Sequence, residues 1–263
     1  MTQTSKFGPF EIGPDRYQPD PEYMAQDRPQ YELNQRKLAL WVGIIAVGLP
    51  FVLLIYSLFD SEGCFLFSIS HYYYYQVLGD VLVGSLAFIG AFLIAYRGES
   101  RRESNLANIT GVAAIGVAIF PTTGDGCMPG SYPGRAFTSS DPYVLFSQVG
   151  TVHYACAAVV FGFIAFYTLY VFTRVDQTKT QRLSDTKLTP VKYWRNMVYT
   201  VSGALIVLSI VALLYKAVFD PGWWNDYNLT FVFEAIALVS FGVSWLVKSR
   251  FTFFGLVDLN DPD

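Results

Sequence analysis

The sequence predicts an all-α bundle of six transmembrane helices with both chain ends on the cytoplasmic face. Three observations predict it: a shortage of charge, six long apolar runs, and basic residues confined to alternate connections. Of 263 residues, 52% are hydrophobic, 17% aromatic and only 15% charged, where a soluble domain carries roughly 25% charged residues. Mean hydropathy is +0.34. The net charge of -3 argues against nucleic-acid binding, which wants a basic stripe.

A helix needs about 20 mostly apolar residues to cross the hydrocarbon core. Such runs lie at about 38–59, 73–96, 106–121, 148–173, 196–218 and 228–247. Each must satisfy its own backbone hydrogen bonds in lipid, so helices are the expected form. The third run is the shortest, bounded by Asn108 and Pro121. Pro50 inside the first predicts a kink, because it removes a donor and crowds the preceding turn.

Charge placement gives the orientation. Lys6, Arg16, Arg28, Arg36 and Lys37 precede the first run, and Arg97, Arg101 and Arg102 follow the second. Arg174, Lys179, Arg182, Lys187, Lys192 and Arg195 separate the fourth from the fifth, and Lys248 and Arg250 follow the sixth. Only Arg135 and Lys216 fall elsewhere, and by the positive-inside rule the basic side is cytoplasmic. The alternate connections hold Asp60, Glu62, Asp125, Asp141, Asp220 and Asp226. The plasma or inner membrane is the expected location. Residues 1–36, which lack an apolar run, read as a largely disordered cytoplasmic arm. The transmembrane domain occupies 37–250, and 251–263 form a short cytoplasmic tail.

The outer connections carry two of the three cysteines. A Cys64–Cys127 disulfide is expected on that oxidising face, with two unpaired thiols as the alternative. Cys156, among alanines in the fourth run, reads as a buried inert thiol. The stretch 122–148 is long for a turn and reads as a tethered surface loop or a cap over the outer mouth. Tyr72 to Tyr75, at the start of the second run, read as an interfacial aromatic belt or as an aromatic vestibule. Trp223 and Trp224 invite the same two readings. The basic stretch 174–195 is expected to meet anionic lipid head groups.

Ionisable residues inside membrane spans are costly and mark candidate sites. Three qualify: Asp80, His153 and Glu234. At 1.5 Å per residue, each lies roughly 8–15 Å below the outer end of its helix. Small or polar residues share their faces: Tyr73, Gln76, Gly84, Ala87 and Ala91 with Asp80, Gly150 and Ala157 with His153, and Tyr227, Thr230 and Ala237 with Glu234. Small residues let helix backbones approach, so the three are expected to face protein and to form one outer-half polar cluster. His153 or Lys216 would supply its counter-charge.

This cluster reads as a polar lock between helices, a pocket for a lipid-like or small polar ligand, a metal-assisted hydrolytic site or an ion path. For the pocket, the lining would be Tyr73, Gln76, Asp80, His153, Tyr227, Thr230 and Glu234. For a hydrolase of lipid amides or esters, Asp80, His153 and Glu234 would hold zinc, since one imidazole and two carboxylates suffice as ligands. No cofactor is called for by the first two readings. An accessory subunit docked on a membrane-protein partner is a third class. The sequence lacks a Walker loop, a GxSxG elbow, a His-Glu-x-x-His and a Cys-x-x-Cys, which argues against nucleotide-driven and soluble-type hydrolytic machinery.

Several segments carry a resemblance. Ser68-Ile69-Ser70-His71-Tyr72-Tyr73-Tyr74, Gly79-Asp80-Val81-Leu82-Val83-Gly84, Val117 to Thr122, His153 with its alanines, and Glu234 through Phe241 to Lys248 resemble the DUF998-like multi-pass membrane proteins. Gly79 stands where such proteins carry a basic residue. More distantly, the chain is similar to the CREST membrane hydrolases, such as alkaline ceramidases. That likeness implies several metal-binding histidines, where this chain has two histidines in all.

Overall fold

The computed structural model describes residues 35–59, 65–122, 148–175, 182–184 and 187–250. Cys64, Cys127, the 1–34 part of the arm, the 251–263 tail and most of the 122–148 connection lie outside these residues, and so does the side chain of Gln76.

Six long helices form the described structure: α1 (Gln35–Phe59), α2 (Gln76–Ala95), α3 (Arg101–Ile119), α4 (Val149–Phe166), α5 (Pro190–Phe219) and α6 (Leu229–Lys248). Two short 3-10 helices, Ile69–Tyr74 and Gly222–Tyr227, lead into α2 and α6. A small antiparallel ladder of β1 (Arg182–Ser184) and β2 (Lys187–Leu188) precedes α5. The last turns of α4 widen into a π-helical segment over Tyr167–Val171. α1 runs unbroken through the buried Pro50.

Five helical segments are long and apolar enough to cross a membrane: Gln35–Phe59, Val77–Ala95, Val149–Val171, Pro190–Phe219 and Leu229–Lys248. They mark the chain as a multi-pass membrane protein. α3 falls short of that standard. Its first turn is spent on Arg101, Arg102 and Glu103, and polar Asn105, Asn108 and Thr110 follow.

Each helix packs against the next in sequence, and α6 returns to α1, so the six close into a ring. Two glycine pairs bring backbones together. A Cβ on Gly90 of α2 would sit 2.8 Å from the Gly111 carbonyl oxygen of α3, and one on Gly111 would sit 2.6 Å from that of Gly90. Gly242 of α6 meets the Gly43 carbonyl of α1 in the same way, at 2.8 Å. In lipid, where burial drives little helix association, such backbone approach supplies the packing. Gly43 also faces Leu246, and Gly242 faces Val47, so α1 and α6 run antiparallel. The start of α1 and the end of α6 therefore share one end of the bundle, called the basic end below.

Aromatic packing fills the bundle toward the basic end. Trp245 is 1% exposed and meets Phe92, Tyr96 and Phe172 edge-on at 5.0, 5.4 and 5.2 Å. Such pairs add about 0.5–1.5 kcal/mol each beyond area burial.

Arg174, Lys192 and Arg195, expected to meet lipid head groups, are buried in protein instead. Arg174 Nη1 donates to Glu103 Oε1 at 2.7 Å, and its other terminal nitrogen lies 3.6 Å from Glu99 Oε2. Lys192 Nζ donates to the Arg174 and Phe172 carbonyls at 2.6 and 3.3 Å. Ser100 caps α3 by accepting from Glu103 N–H, while Glu103 Oε2 accepts from Glu99 N–H at 3.1 Å. This is close to a capping box, and it fixes the carboxylate that receives Arg174.

The tyrosine run also departs from expectation. Tyr72, Tyr73 and Tyr74 are buried at 0%, 8% and 2% exposure, so they plug the far end of the bundle rather than ring it with a belt. Tyr72 Oη pairs with Ser57 Oγ of α1 at 2.6 Å, and Tyr74 Oη donates to the Thr122 carbonyl at 2.6 Å. Trp224 is buried and Trp223 half exposed.

Candidate functional site

The far end is organised by one turn, Ser68-Ile69-Ser70, at the head of the first 3-10 helix. Ser68 caps that helix: its Oγ accepts from Ser70 N–H at 3.1 Å. The same hydroxyl donates toward both carboxylate oxygens of Glu234, at 3.0 and 2.9 Å. Ile69 N–H adds a third bond to Glu234 Oε2, at 2.7 Å. Nearby, Phe231 N–H donates to the Phe67 carbonyl at 2.8 Å. The turn is thus tied to the first turns of α6 by backbone and carboxylate together, which satisfies a charge-bearing group that the membrane would otherwise penalise.

Ser70 carries the turn to α4. Its Oγ lies 3.2 Å from His153 Nε2, and His153 Nδ1 lies 2.7 Å from the Phe120 carbonyl oxygen at the end of α3. A carbonyl can only accept, so Nδ1 holds the ring proton. In the neutral ring Nε2 is then the acceptor, and the Ser70 hydroxyl donates to it. His153 is 4% exposed, and this orientation satisfies both of its nitrogens.

The hydroxyl and the imidazole line a small cleft with room for about one water molecule. Leu82, Val83 and Leu86 of α2 and Val117, Ala118 and Pro121 from α3 and its end form the apolar walls, with Tyr73 beside Ser70. Val83, Leu86 and Val117 are only half buried, so the walls reach the protein surface. Before the membrane-length segment Val77–Ala95, burial and then the neighbouring Tyr73 push the Tyr74 phenol up to about 12.

Of the three ionisable residues expected to converge, two reach the same turn through different partners: Glu234 through Ser68 and Ile69, His153 through Ser70. Asp80 does not join them. It occupies an exposed position on the α2 face that also carries Val77, Val81, Gly84 and Ala91. The physical reason lies in the small residues. Gly84, expected to mark a helix contact, has nothing within 4 Å of an added Cβ. The contact that sets the rotation of α2 is at Gly90 instead. No group of three His, Cys, Asp or Glu side chains suited to a metal occurs among the described residues. Lys216, expected as a counter-charge, pairs with Asp220 one turn further along.

The other lining candidates are split. Tyr73 faces the cleft. Thr230 accepts from Trp224 Nε1 at 2.8 Å, and Tyr227 is 69% exposed. Ser68 and Ser70 were absent from the sequence-derived set. Their signal was local: a serine two residues before another at a helix start is a capping pattern, and this one delivers two hydroxyls to two helices. Gly150, read as a contact beside His153, is likewise open, yet His153 is buried by α3 and the turn.

No protein-family model, curated protein or solved structure matches this chain.

Proposed function

We propose that this chain is a six-crossing membrane protein, both ends cytoplasmic, whose outer-end cleft binds a lipid-like ligand. The antiparallel seam of α1 and α6 and the collection of Arg174, Lys192, Arg195 and Lys248 at one end support that orientation. α3, packed between α2 and α4, would be the sixth crossing, its charged first turn lying at the cytoplasmic surface.

One observation carries the ligand reading: an apolar cleft ends on a paired hydroxyl and imidazole. Apolar walls with a few placed polar groups are what a binding site for a small amphiphile needs. The hydrocarbon part would lie against Leu82, Leu86 and Val117, and its polar end would meet Ser70 and His153.

Mass spectrometry of lipid released from purified protein tests this. A specific lipid should accompany the native chain and be lost in Leu86→Trp, which fills the cleft without touching the Ser70–His153 pair. Asp80→Ala should retain it, because Asp80 lies on another face of α2. Equal retention in Leu86→Trp and the native chain would leave the far-end cluster as an interhelical lock and nothing more.

A further inference from the structure

The Ser70–His153 pair has the geometry of a nucleophile and its base. We propose that Ser70 is an acyl-accepting nucleophile, activated by His153, for an ester of the lipid-like ligand held in this cleft. The proposal rests on the ligand reading given above and deepens it.

Four observations carry it. The 3.2 Å separation of Ser70 Oγ and His153 Nε2 is within the reach expected of a nucleophile and base before substrate tightens them. The Phe120 carbonyl, 2.7 Å from Nδ1, fixes the tautomer that leaves Nε2 free to take a proton, the role a third group plays in hydrolytic triads. Both reacting groups line the cleft, which itself has room for about one water molecule, and its half-buried walls at Val83, Leu86 and Val117 open it to the protein surface. Finally, Ser70 sits on a clamped turn: Ser68 and Ile69 hold Glu234 through three bonds, so the hydroxyl is pre-placed rather than mobile. Glu234 is a positioning residue in this scheme and does not touch the reacting atoms.

The step balances with water as the co-reactant. Ser70 Oγ bonds to the ester carbonyl carbon as its proton passes to His153 Nε2. Collapse breaks the bond from the carbonyl carbon to the alcohol oxygen, and the departing alcohol takes that proton. Water then adds to the acyl-serine carbon and gives a proton to Nε2. The carboxylic acid leaves as the proton returns to Ser70 Oγ. A carbonyl holds Nδ1–H more weakly than a carboxylate would, so a slow turnover is expected.

A fluorophosphonate probe tests the nucleophile directly on the full chain in lipid nanodiscs. In that reaction Ser70 Oγ bonds to phosphorus, fluoride leaves and the hydroxyl proton goes to His153. The expected result is an adduct located at Ser70 by peptide mass spectrometry, absent in Ser70→Ala. In His153→Gln labelling should slow by about a hundredfold or more, the usual contribution of a general base. Val83→Trp, which blocks the cleft and leaves both residues intact, should also suppress it, so the result does not hang on one variant folding. No adduct at Ser70, an adduct only elsewhere, or a rate unchanged in His153→Gln would overturn the nucleophile. Lipid retention, measured on the same preparations, separates the two readings: lipid retained without an adduct leaves the binding site and removes the chemistry.

Discussion

Glu234 of α6 and Ser68, 166 positions apart in the chain, are joined by a hydroxyl that donates to both carboxylate oxygens at 3.0 and 2.9 Å. That contact, reinforced by Ile69 N–H, ties the turn before α2 to α6, and the same turn reaches α4 through Ser70. Removing the carboxylate should therefore be felt at His153. Glu234→Ala strands the Ile69 N–H and the Ser68 hydroxyl, at about 1–3 kcal/mol per buried unsatisfied group. Thermal unfolding in detergent should show the loss, and the imidazole resonances of His153 should shift as its Ser70 partner is released.

The basic end offers a sharper contrast in ion pairs. The Glu103 and Arg174 side chains are 9% and 6% exposed, whereas Asp220, paired with Lys216, is 82% exposed. Breaking a buried pair strands a charge and costs about 3–5 kcal/mol, while an exposed i,i+4 pair contributes about 0.3–0.5 kcal/mol. Glu103→Ala should thus lower the unfolding midpoint strongly and Asp220→Ala scarcely at all. Equal effects would refute the buried network.

Glycine substitutions test the helix seams. Gly90→Ala places a methyl group 2.8 Å from the Gly111 carbonyl oxygen, against backbone that cannot yield as a side chain would. Overpacking of this kind costs about 1–3 kcal/mol. Gly84→Ala, with open space around it, should be neutral or slightly stabilising. Denaturant unfolding of the two variants should separate them clearly.

Tyr74 predicts an alkaline dependence. Its phenol is held up to about 12 by burial, against an ordinary value of 10.0. Between those values the unfolded chain has released the proton and the folded chain keeps it, so the folded state binds more protons. The stability from this group is complete below pH 10 and falls as pH rises toward 12. Tyr74→Phe removes that slope, although it also removes the bond to the Thr122 carbonyl. The difference between native and variant unfolding midpoints should therefore narrow between pH 10 and 12.

Much of the site was legible in part. His153 and Glu234 announce themselves as ionisable residues in apolar runs, and both reach the far-end turn. Asp80 looked equivalent because Gly84, Ala87 and Ala91 share its helical face, but small residues mark a close approach only where a partner supplies another. Gly90 has Gly111, and Gly84 has none. Ser70 was hidden for the opposite reason, since a serine at a helix start is commonplace and becomes chemically suggestive only beside an imidazole 83 residues away. Arg174 was read as a lipid-facing charge, because its partner Glu103 lies 71 positions away and nothing near either residue announces the pair.

The amino-acid order alone determined the apolar segments, their helical form and the sorting of basic residues, because each helix satisfies its own backbone and each charge avoids hydrocarbon locally. Only the tertiary structure decided which face of each helix meets protein. That rotation is set by where two backbones touch, at Gly90 with Gly111 and at Gly43 with Gly242, and a contact between distant segments has no signature within either one.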